Sequence, residues 1–193
     1  MGRRAVFIDR DGTLTAEAGL IQRVDQVSLL PGSVEAIQRI NAARWQAVIV
    51  TNQPWVGQGA LTEDELADVH EAVRHQLLES DARLDGIYHC PHHPEATVER
   101  FRETCRCRKP GIGMFERAES EMGIELDASV MVGDRLTDLQ AAREAGMRSV
   151  LVRTGQGQET EAALEQHPNL VDHVADNLLD ALDWVLADVK APA

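Results

Sequence analysis

Short apolar runs alternate along this chain with longer segments in which apolar and polar positions repeat at helical spacing. Such alternation is typical of βα units, in which buried parallel strands are joined by helices that cover the sheet. We therefore predict a three-layer, Rossmann-like α/β fold with a mainly parallel sheet. The five predicted strands are Arg4–Ile8, Ala47–Thr51, Gly86–His89, Ser129–Val132 and Ser149–Val152.

The amphipathic segments predict five helices. The first begins after Pro31-Gly32-Ser33, and the second begins at Thr62-Glu63-Asp64-Glu65, a capping box in which the first and last residues satisfy each other's backbone amides. The remaining three are predicted over about Met114–Met122, Leu136–Ala145 and Asn177–Val189. The polar stretch Gln156–Pro168 is predicted to be a surface connection.

The composition restricts the possible classes of function. The formal net charge is −13, whereas a nucleic acid or an anionic membrane surface needs a basic face on its protein partner. No apolar run is long enough for a signal-peptide core or a membrane span. We therefore expect a cytoplasmic protein without nucleic-acid or membrane partners. In so acidic a chain, a phosphorylated ligand would need a divalent metal and a few well-placed cations.

Chemically active residue types fall near the predicted carboxyl ends of the strands, where ligands bind in open α/β sheets. Taken singly, each has an ordinary explanation: a turn before glycine, a helix cap or a solvated charge. Their occurrence in register favours one common site that supplies a nucleophile, a proton donor, metal ligands and donors to phosphoryl oxygens. The segments are Asp9/Asp11, Thr51-Asn52-Gln53, Arg108-Lys109-Pro110 and Gly133-Asp134-Arg135-Leu136-Thr137-Asp138.

These segments resemble the four motifs of the haloacid-dehalogenase-like phosphohydrolases, over nearly the whole chain. The matching residues are Asp9-x-Asp11-Gly12-Thr13, Thr51, Lys109 and Gly133-Asp134-x-x-x-Asp138. The resemblance implies that Asp9 attacks phosphorus and becomes an aspartyl phosphate. It implies that Asp11 protonates the leaving alkoxide and then takes a proton from the hydrolytic water. Thr51 and Lys109 would hold the phosphoryl oxygens.

The same resemblance implies a catalytic Mg²⁺. Its ligands would be the carboxylates of Asp9 and Asp134 and the backbone carbonyl of Asp11, a set of oxygen donors that suits a hard cation. For Asp138 we expect a supporting role beside these ligands in preference to direct ligation.

All three cysteines lie in one segment, together with adjacent histidines. An odd number of cysteines in a reducing compartment argues against a disulfide framework, whereas three thiolates and one imidazole make a closed, structural Zn²⁺ site. His92 is favoured over His93, which lies elsewhere in the matching family pattern. Zinc would hold the loop of about residues 90–107 and fix the backbone that carries Arg108 and Lys109. The predicted ligands are Cys90, His92, Cys105 and Cys107.

The long zinc loop also resembles that of one group of these phosphohydrolases, which removes the C7 phosphate from D-glycero-D-manno-heptose 1,7-bisphosphate. That reaction serves nucleotide-activated heptose synthesis, which feeds the lipopolysaccharide core or other surface glycans. The resemblance implies a small phosphorylated sugar as substrate. The predicted substrate-binding residues are Glu17, Gly19, Asn52, Gln53, Arg108 and Arg135.

Some residues depart from that group. Pro54, Trp55 and Gln58 stand where its members usually have Ser-Gly and a later Arg, and Arg135 stands where many have Lys. Histidinol-phosphate phosphatases share the Cys-Arg-Lys-Pro ending but have a much shorter zinc segment. Histidinol-phosphate or another small phosphomonoester is therefore the alternative substrate. A zinc-stabilised binding module is the non-enzymatic alternative, against which the intact pair of aspartates argues.

The spacing of the motifs bears on domain organisation. Residues 12–50 suffice for a loop and one helix, so no cap domain is expected and the site should be open. No linker or repeat divides the chain, and residues 1–193 are predicted to form a single domain. Without a cap to build an interface, we expect a monomer.

Overall fold

A six-stranded parallel sheet forms the centre of the computed structural model, which describes residues 2–17 and 19–187. The strands are β1 (Ala5–Ile8), β2 (Gln46–Asn52), β3 (Gly86–Cys90), β4 (Val130–Gly133), β5 (Arg148–Val152) and β6 (His173–Ala175). Their order is β3-β2-β1-β4-β5-β6, and every neighbouring pair is parallel. The first strand therefore lies in the middle of the sheet, between β2 and β4.

Helices cover both faces of the sheet. They are α1 (Ser33–Ala42), α2 (Pro54–Gly57), α3 (Glu63–Leu78), α4 (Gly113–Met122), α5 (Leu136–Glu144), α6 (Gly157–Ala163) and α7 (Leu178–Ala187). In β1, Val6 and Ile8 pack into the core that α1, α3 and α7 cover, whereas Ala5 and Phe7 pack into the core under α4 and α5. Burial on both faces explains why the parallel strands read as continuous apolar runs.

The structure confirms the predicted α/β architecture and its five strands, each within about two residues of its predicted bounds. It adds β6, a three-residue edge strand. The capping box is present: Thr62 Oγ1 accepts from the Glu65 amide at 3.1 Å, and Glu65 accepts from the Thr62 amide at 2.8 Å. Helix α7 is confirmed to Ala187, and its predicted end at Val189 lies outside the described residues.

The stretch Gln156–Pro168 lies mostly at the surface, as predicted, but it is more than a connection because it contains α6. This helix has no apolar stripe to reveal it. Its buried residues are Gly157 and Thr160, and the Thr160 hydroxyl donates to the Asp134 carbonyl at 2.8 Å. A polar contact with the loop after β4 therefore anchors α6, and hydrophobic periodicity does not report such contacts.

The crevice beyond the carboxyl ends of the strands has no separate cover. Within the described residues, the connection from β1 to β2 contains a loop, one 3-10 turn (Val24–Gln26) and α1, so no cap domain is inserted there. Among residues 2–17 and 19–187, none of the helices is both long enough and apolar enough to cross a bilayer.

Candidate active site

A cavity of about 410 Å³ opens where the carboxyl ends of β1, β2 and β4 meet. It brings together the four predicted catalytic residues and, except for Gln53, the predicted substrate-binding residues. Gln53 is buried. The lining residues are Asp9, Asp11, Glu17, Gly19, Thr51, Asn52, Pro54, Trp55, Arg108, Lys109, Pro110, Arg135, Thr137 and Asp138.

A buried lysine ties two acidic residues together at the base of the cavity. Lys109 Nζ donates to Asp9 Oδ1 at 2.8 Å and to the Val50 carbonyl at 2.8 Å, and it forms an ion pair with Asp138 Oδ1 at 2.6 Å. Burial opposes the lysine charge, yet the pKa of Lys109 is raised because Asp138 and Asp9 favour the cation. Burial raises the pKa of Asp9 to about 8; Lys109 opposes the rise and the neighbouring carboxylates add to it.

Carboxylate oxygens of Asp9, Asp134 and Asp138 lie within 4.8 Å of one another, close enough to surround one metal ion. Three buried acids against one lysine leave excess negative charge, and burial also raises the pKa of Asp134 to about 6. A divalent cation with a preference for oxygen ligands fits this donor set. The two oxygens of Asp138 already contact Lys109 Nζ and the Arg135 amide, which suits the supporting role predicted for it.

Two glycines permit the close approach of loops around Asp134. Gly12 has a φ of +86°, in the left-handed region, and a Cβ there would lie 2.4 Å from Asp134 Oδ2. A Cβ at Gly155 would lie 2.2 Å from the same oxygen. The carboxylate is fixed from α6 as well, since the Gln156 amide donates to Oδ2 at 2.8 Å. The Asp-Gly turn after β1 thus requires glycine for a steric reason.

The second aspartate of the motif is held by its neighbours. Arg10 Nε donates to Asp11 Oδ1 at 2.9 Å, and Arg10 Nη2 donates to Oδ2 at 2.8 Å. Gln53 Nε2 donates to Oδ2 at 2.8 Å and to Thr51 Oγ1 at 2.9 Å. The buried side-chain amide of Gln53 therefore bridges Asp11, the predicted proton donor, and the hydroxyl of Thr51, which is predicted to bind phosphate.

Asn52 connects the end of β2 to the segment that carries Lys109. Its Nδ2 donates to the Lys109 carbonyl at 3.1 Å, and its Oδ1 accepts from the Lys109 amide at 3.0 Å. This reciprocal pair of hydrogen bonds fixes the lysine backbone against the central sheet. The Asn52 side chain, which is predicted to bind substrate, therefore binds the protein's own backbone in this structure.

The four predicted zinc ligands lie together, and their ligand atoms fall within 4.8 Å of one another. The Sγ atom of Cys107 is 3.1 Å from those of Cys90 and Cys105, too far for disulfide bonds of about 2.05 Å. His92 Nδ1 lies 3.2 Å from Cys107 Sγ. Hydrogen bonding between Cys90 and Cys107 lowers the pKa of Cys107 to about 5 and raises that of Cys90. Sulfur and imidazole donors in this arrangement fit tetrahedral zinc.

Contacts around the cluster support the choice of histidine. His92 Nε2 lies 3.1 Å from Glu103 Oε1, a carboxylate of the kind that orients a metal-bound imidazole from the outside. The neighbouring His93 instead accepts through Nδ1 from the Glu95 amide. The Arg108 amide donates to Cys105 Sγ at 3.3 Å, and Arg108 Nη1 donates to the His92 carbonyl at 3.3 Å. The cluster thus fixes both the backbone and the side chain of Arg108 at the cavity.

An ion pair spans the rim of the cavity. Arg135 Nη2 contacts Glu17 Oε1 at 2.5 Å, and Gln156 Nε2 donates to the same oxygen at 3.3 Å. Gly19 follows Glu17 by two positions in the chain, and Ala18 between them is outside the described residues. Trp55, 38% exposed, also lines the cavity. Polar and aromatic groups therefore surround the entrance, while the acidic cluster lies below.

Sequence reasoning missed two contributors to this site. Arg10 is not among the predicted site residues, although its position between two predicted catalytic aspartates, directly after a buried strand, indicates that it lies at the site. The Gln156 amide at the start of α6 was missed with the helix itself. A backbone donor leaves no signal in residue type, so only the fold reveals it.

Comparisons with known proteins agree with this geometry. The family model described as HAD-hydrolase-like matches residues 106–181. The D-glycero-beta-D-manno-heptose-1,7-bisphosphate 7-phosphatase of Escherichia coli K12 is 40% identical over 177 residues, 91% of this chain and 90% of that protein. The protein of that name from Photorhabdus laumondii is 41% identical over 185 residues, 95% of this chain and 97% of that protein.

A crystal structure shows the same likeness. The D,D-heptose 1,7-bisphosphate phosphatase from B. bronchiseptica, complexed with magnesium and phosphate, superposes with a TM-score of 0.84 at 31% identity. The match covers 96% of this chain and 99% of that one. The likeness therefore extends over the entire fold, including the segments that carry the cavity.

Proposed function

Because the chain belongs to the D-glycero-β-D-manno-heptose-1,7-bisphosphate 7-phosphatases of the haloacid-dehalogenase-like hydrolases, we propose that it removes the C7 phosphate of D-glycero-β-D-manno-heptose 1,7-bisphosphate. It is a phosphoric monoester hydrolase. The observation that carries the proposal is the buried Asp9–Lys109–Asp138 cluster at the base of a cavity whose rim carries Arg108 and Arg135. A substrate with two phosphates suits such a site, one phosphate at the base and one near the rim.

Two residues of the chain would perform the chemistry. Asp9 attacks phosphorus while Asp11 gives its proton to the departing C7 oxygen, so the bond from phosphorus to that oxygen breaks as the acyl phosphate forms. Asp11, now a carboxylate, takes a proton from the water that attacks the acyl phosphate. Inorganic phosphate leaves and both aspartates are restored.

Neighbouring residues would support each half of the reaction. Lys109 and the Thr51 hydroxyl stabilise the phosphoryl oxygens, and Asn52 keeps the Lys109 backbone in place. Magnesium would be held by the carboxylates of Asp9 and Asp134 and by the backbone carbonyl of Asp11. When bound, it neutralises the acidic cluster and polarises the phosphoryl group. Zinc at the cysteine cluster would be structural, since three thiolates and His92 leave no position open for substrate.

Arg108 and Arg135 would recognise the second phosphate, with planar guanidinium groups that match phosphate geometry. Glu17 pairs with Arg135 in this structure, so substrate would exchange that carboxylate for a phosphate oxygen. The same exchange would place the sugar between the rim and Asp9, beside Gly19 and Trp55.

The cellular setting follows from the chemistry and the relatives. The matched enzymes are bacterial, and we infer that the product of this chain serves nucleotide-activated heptose synthesis for surface glycans such as the lipopolysaccharide core. Thiols stay reduced in the cytosol, and Cys90, Cys105 and Cys107 are free of disulfides, which supports the inference of a cytoplasmic location. We further infer a single-domain monomer that needs no nucleic-acid or membrane partner.

The decisive test is a comparison of phosphate release from the β and α anomers of heptose 1,7-bisphosphate and from histidinol phosphate, with Mg²⁺ present. We expect kcat/KM for the β anomer to exceed that for histidinol phosphate by at least about tenfold, because a second phosphate adds charge-assisted hydrogen bonds. Asp9→Asn should abolish turnover of all three. Faster turnover of histidinol phosphate would favour the alternative substrate, and no turnover by the wild-type protein would favour a binding module.

A further inference from the structure

Arg10 is among the most buried large side chains of the protein, and it stands between the two aspartates of the motif. Its exposed fraction is 2%, and its guanidinium forms a two-pronged hydrogen bond to both oxygens of Asp11 at 2.9 and 2.8 Å. Desolvating a guanidinium is costly unless it is paired in good geometry. A residue that serves only to fill the core would seldom be arginine.

Asp11 is the sole carboxylate paired with Arg10 in the part of the chain that the structure describes. The nearby ring of His70 supplies no competing charge, because burial lowers its pKa to about 2. The remaining guanidinium nitrogen, Nη1, has no hydrogen-bond partner among the described residues. The charge of Arg10 is therefore directed at Asp11.

Two further donors complete the surroundings of Asp11. Thr15 Oγ1 lies 3.3 Å from Oδ1, and Gln53 Nε2 lies 2.8 Å from Oδ2. With the two prongs of Arg10, Oδ2 accepts two hydrogen bonds and Oδ1 accepts one, while the single proton of the Thr15 hydroxyl is shared between Oδ1 and the Arg10 carbonyl at 3.1 Å. This donor set matches an ionised carboxylate and fixes its rotamer at the edge of the cavity.

We propose that Arg10 is a positioning residue for the proton transfers of Asp11, holding the carboxylate that exists between the two halves of the reaction. This inference rests on the proposed function, in which Asp11 loses a proton to the leaving oxygen and regains one from water. Arg10 stays protonated throughout and receives the charge that appears on Asp11. Lysine would keep the charge but lose the two-pronged geometry.

The test compares Arg10→Lys and Arg10→Gln with the wild-type protein on two substrates in Mg²⁺. Heptose bisphosphate has an alkoxide leaving group that needs a proton, whereas p-nitrophenyl phosphate releases a phenolate that needs none. We expect kcat for the sugar phosphate to fall by about 100-fold with KM changed less than about threefold. The burst of p-nitrophenolate in the first turnover should keep its rate within about threefold.

A double variant separates positioning from folding. Arg10→Lys should cause little further loss in an Asp11→Asn background, because the group that it positions is already absent. Arg23→Lys is the matched control, since Arg23 makes the same two-pronged contact with Asp25 on the surface, and it should leave both rates unchanged.

Three results would overturn the inference. The first is unchanged turnover of the sugar phosphate by Arg10→Lys. The second is an equal loss on both substrates, which would indicate that Asp9 has been displaced. The third is that Arg10→Lys causes its full loss of activity even in the Asp11→Asn background. Inactivity of the wild-type protein on both substrates would overturn the proposed function together with this inference. Wild-type turnover combined with any of the three results overturns the inference alone.

Discussion

Replacing Asp9 by asparagine should stabilise the metal-free protein, by an amount that grows as the pH rises. Burial raises the pKa of Asp9 from 3.8 to about 8, although Lys109 opposes the rise. Between these two values the carboxyl is protonated in the folded state and ionised in the unfolded state. Its contribution to stability is therefore complete below about pH 4 and is lost progressively up to about pH 8.

The size of the effect follows from the same pKa difference. Each pH unit in this range lowers the free energy of unfolding by about 1.4 kcal/mol, which gives about 4 kcal/mol between pH 5 and pH 8. The asparagine side chain of the variant does not titrate, so the variant escapes this loss. Asp134 and Lys109 interact electrostatically with Asp9, so the measured difference reports the ionisation of this cluster and not of Asp9 alone.

Urea unfolding at pH 5, 6, 7 and 8, without Mg²⁺ and with zinc retained, measures the difference between Asp9→Asn and wild type. Saturating Mg²⁺ should reduce it, because the metal stabilises the ionised carboxylate of the wild-type protein. Asp68→Asn, at an exposed position of α3, is the control and should show no such trend. A difference that stays constant from pH 5 to pH 8 would refute the reasoning.

Three other changes have defined outcomes. Cys107→Ser should release zinc in metal analysis and lower kcat by at least about tenfold, whereas His93→Ala should retain both; full activity of zinc-free wild-type protein would contradict this. Thr62→Ala should lower the free energy of unfolding in urea by about 1 kcal/mol with kcat unchanged, and an unaltered midpoint would count against the capping contact. Gly12→Ala should abolish phosphate release, because its Cβ would lie 2.4 Å from Asp134 Oδ2; normal turnover would show that this turn tolerates a side chain.

The extent to which the sequence predicts the fold depends on what each element buries. Four of the five predicted strands, β1, β2, β4 and β5, have apolar runs that are buried on both sides, whereas β3 alternates buried and half-buried residues. Edge strand β6 has one buried residue among three, and α6 is anchored through the Thr160 hydroxyl. Patterns of hydrophobicity report burial of apolar side chains, so elements held by backbone pairing or polar contacts escape them.

The candidate site was predictable in composition but not in its internal contacts. The carboxyl ends of parallel strands lie at the same edge of the sheet, so the residues that follow them come together whatever side-chain contacts they make. The partners of a long polar side chain depend on its rotamer, which the sequence does not specify. Arg10 and Asn52 illustrate this: one is directed at Asp11 and the other at the Lys109 backbone. A residue's type indicated its chemistry, and only the fold indicated the atom that it contacts.

The central place of β1 has a consequence for how the protein is made. Ala5–Ile8 are synthesised before both neighbours of this strand, which are β2 and β4, and β4 begins only at Val130. One edge of β1 therefore stays unpaired until β4 has been synthesised, and this pairing must close the long segment between Ile8 and Val130. Asp9, the predicted nucleophile, follows this strand and its amide donates to the Val132 carbonyl of β4, so Asp9 is translated well before the strand that encloses it.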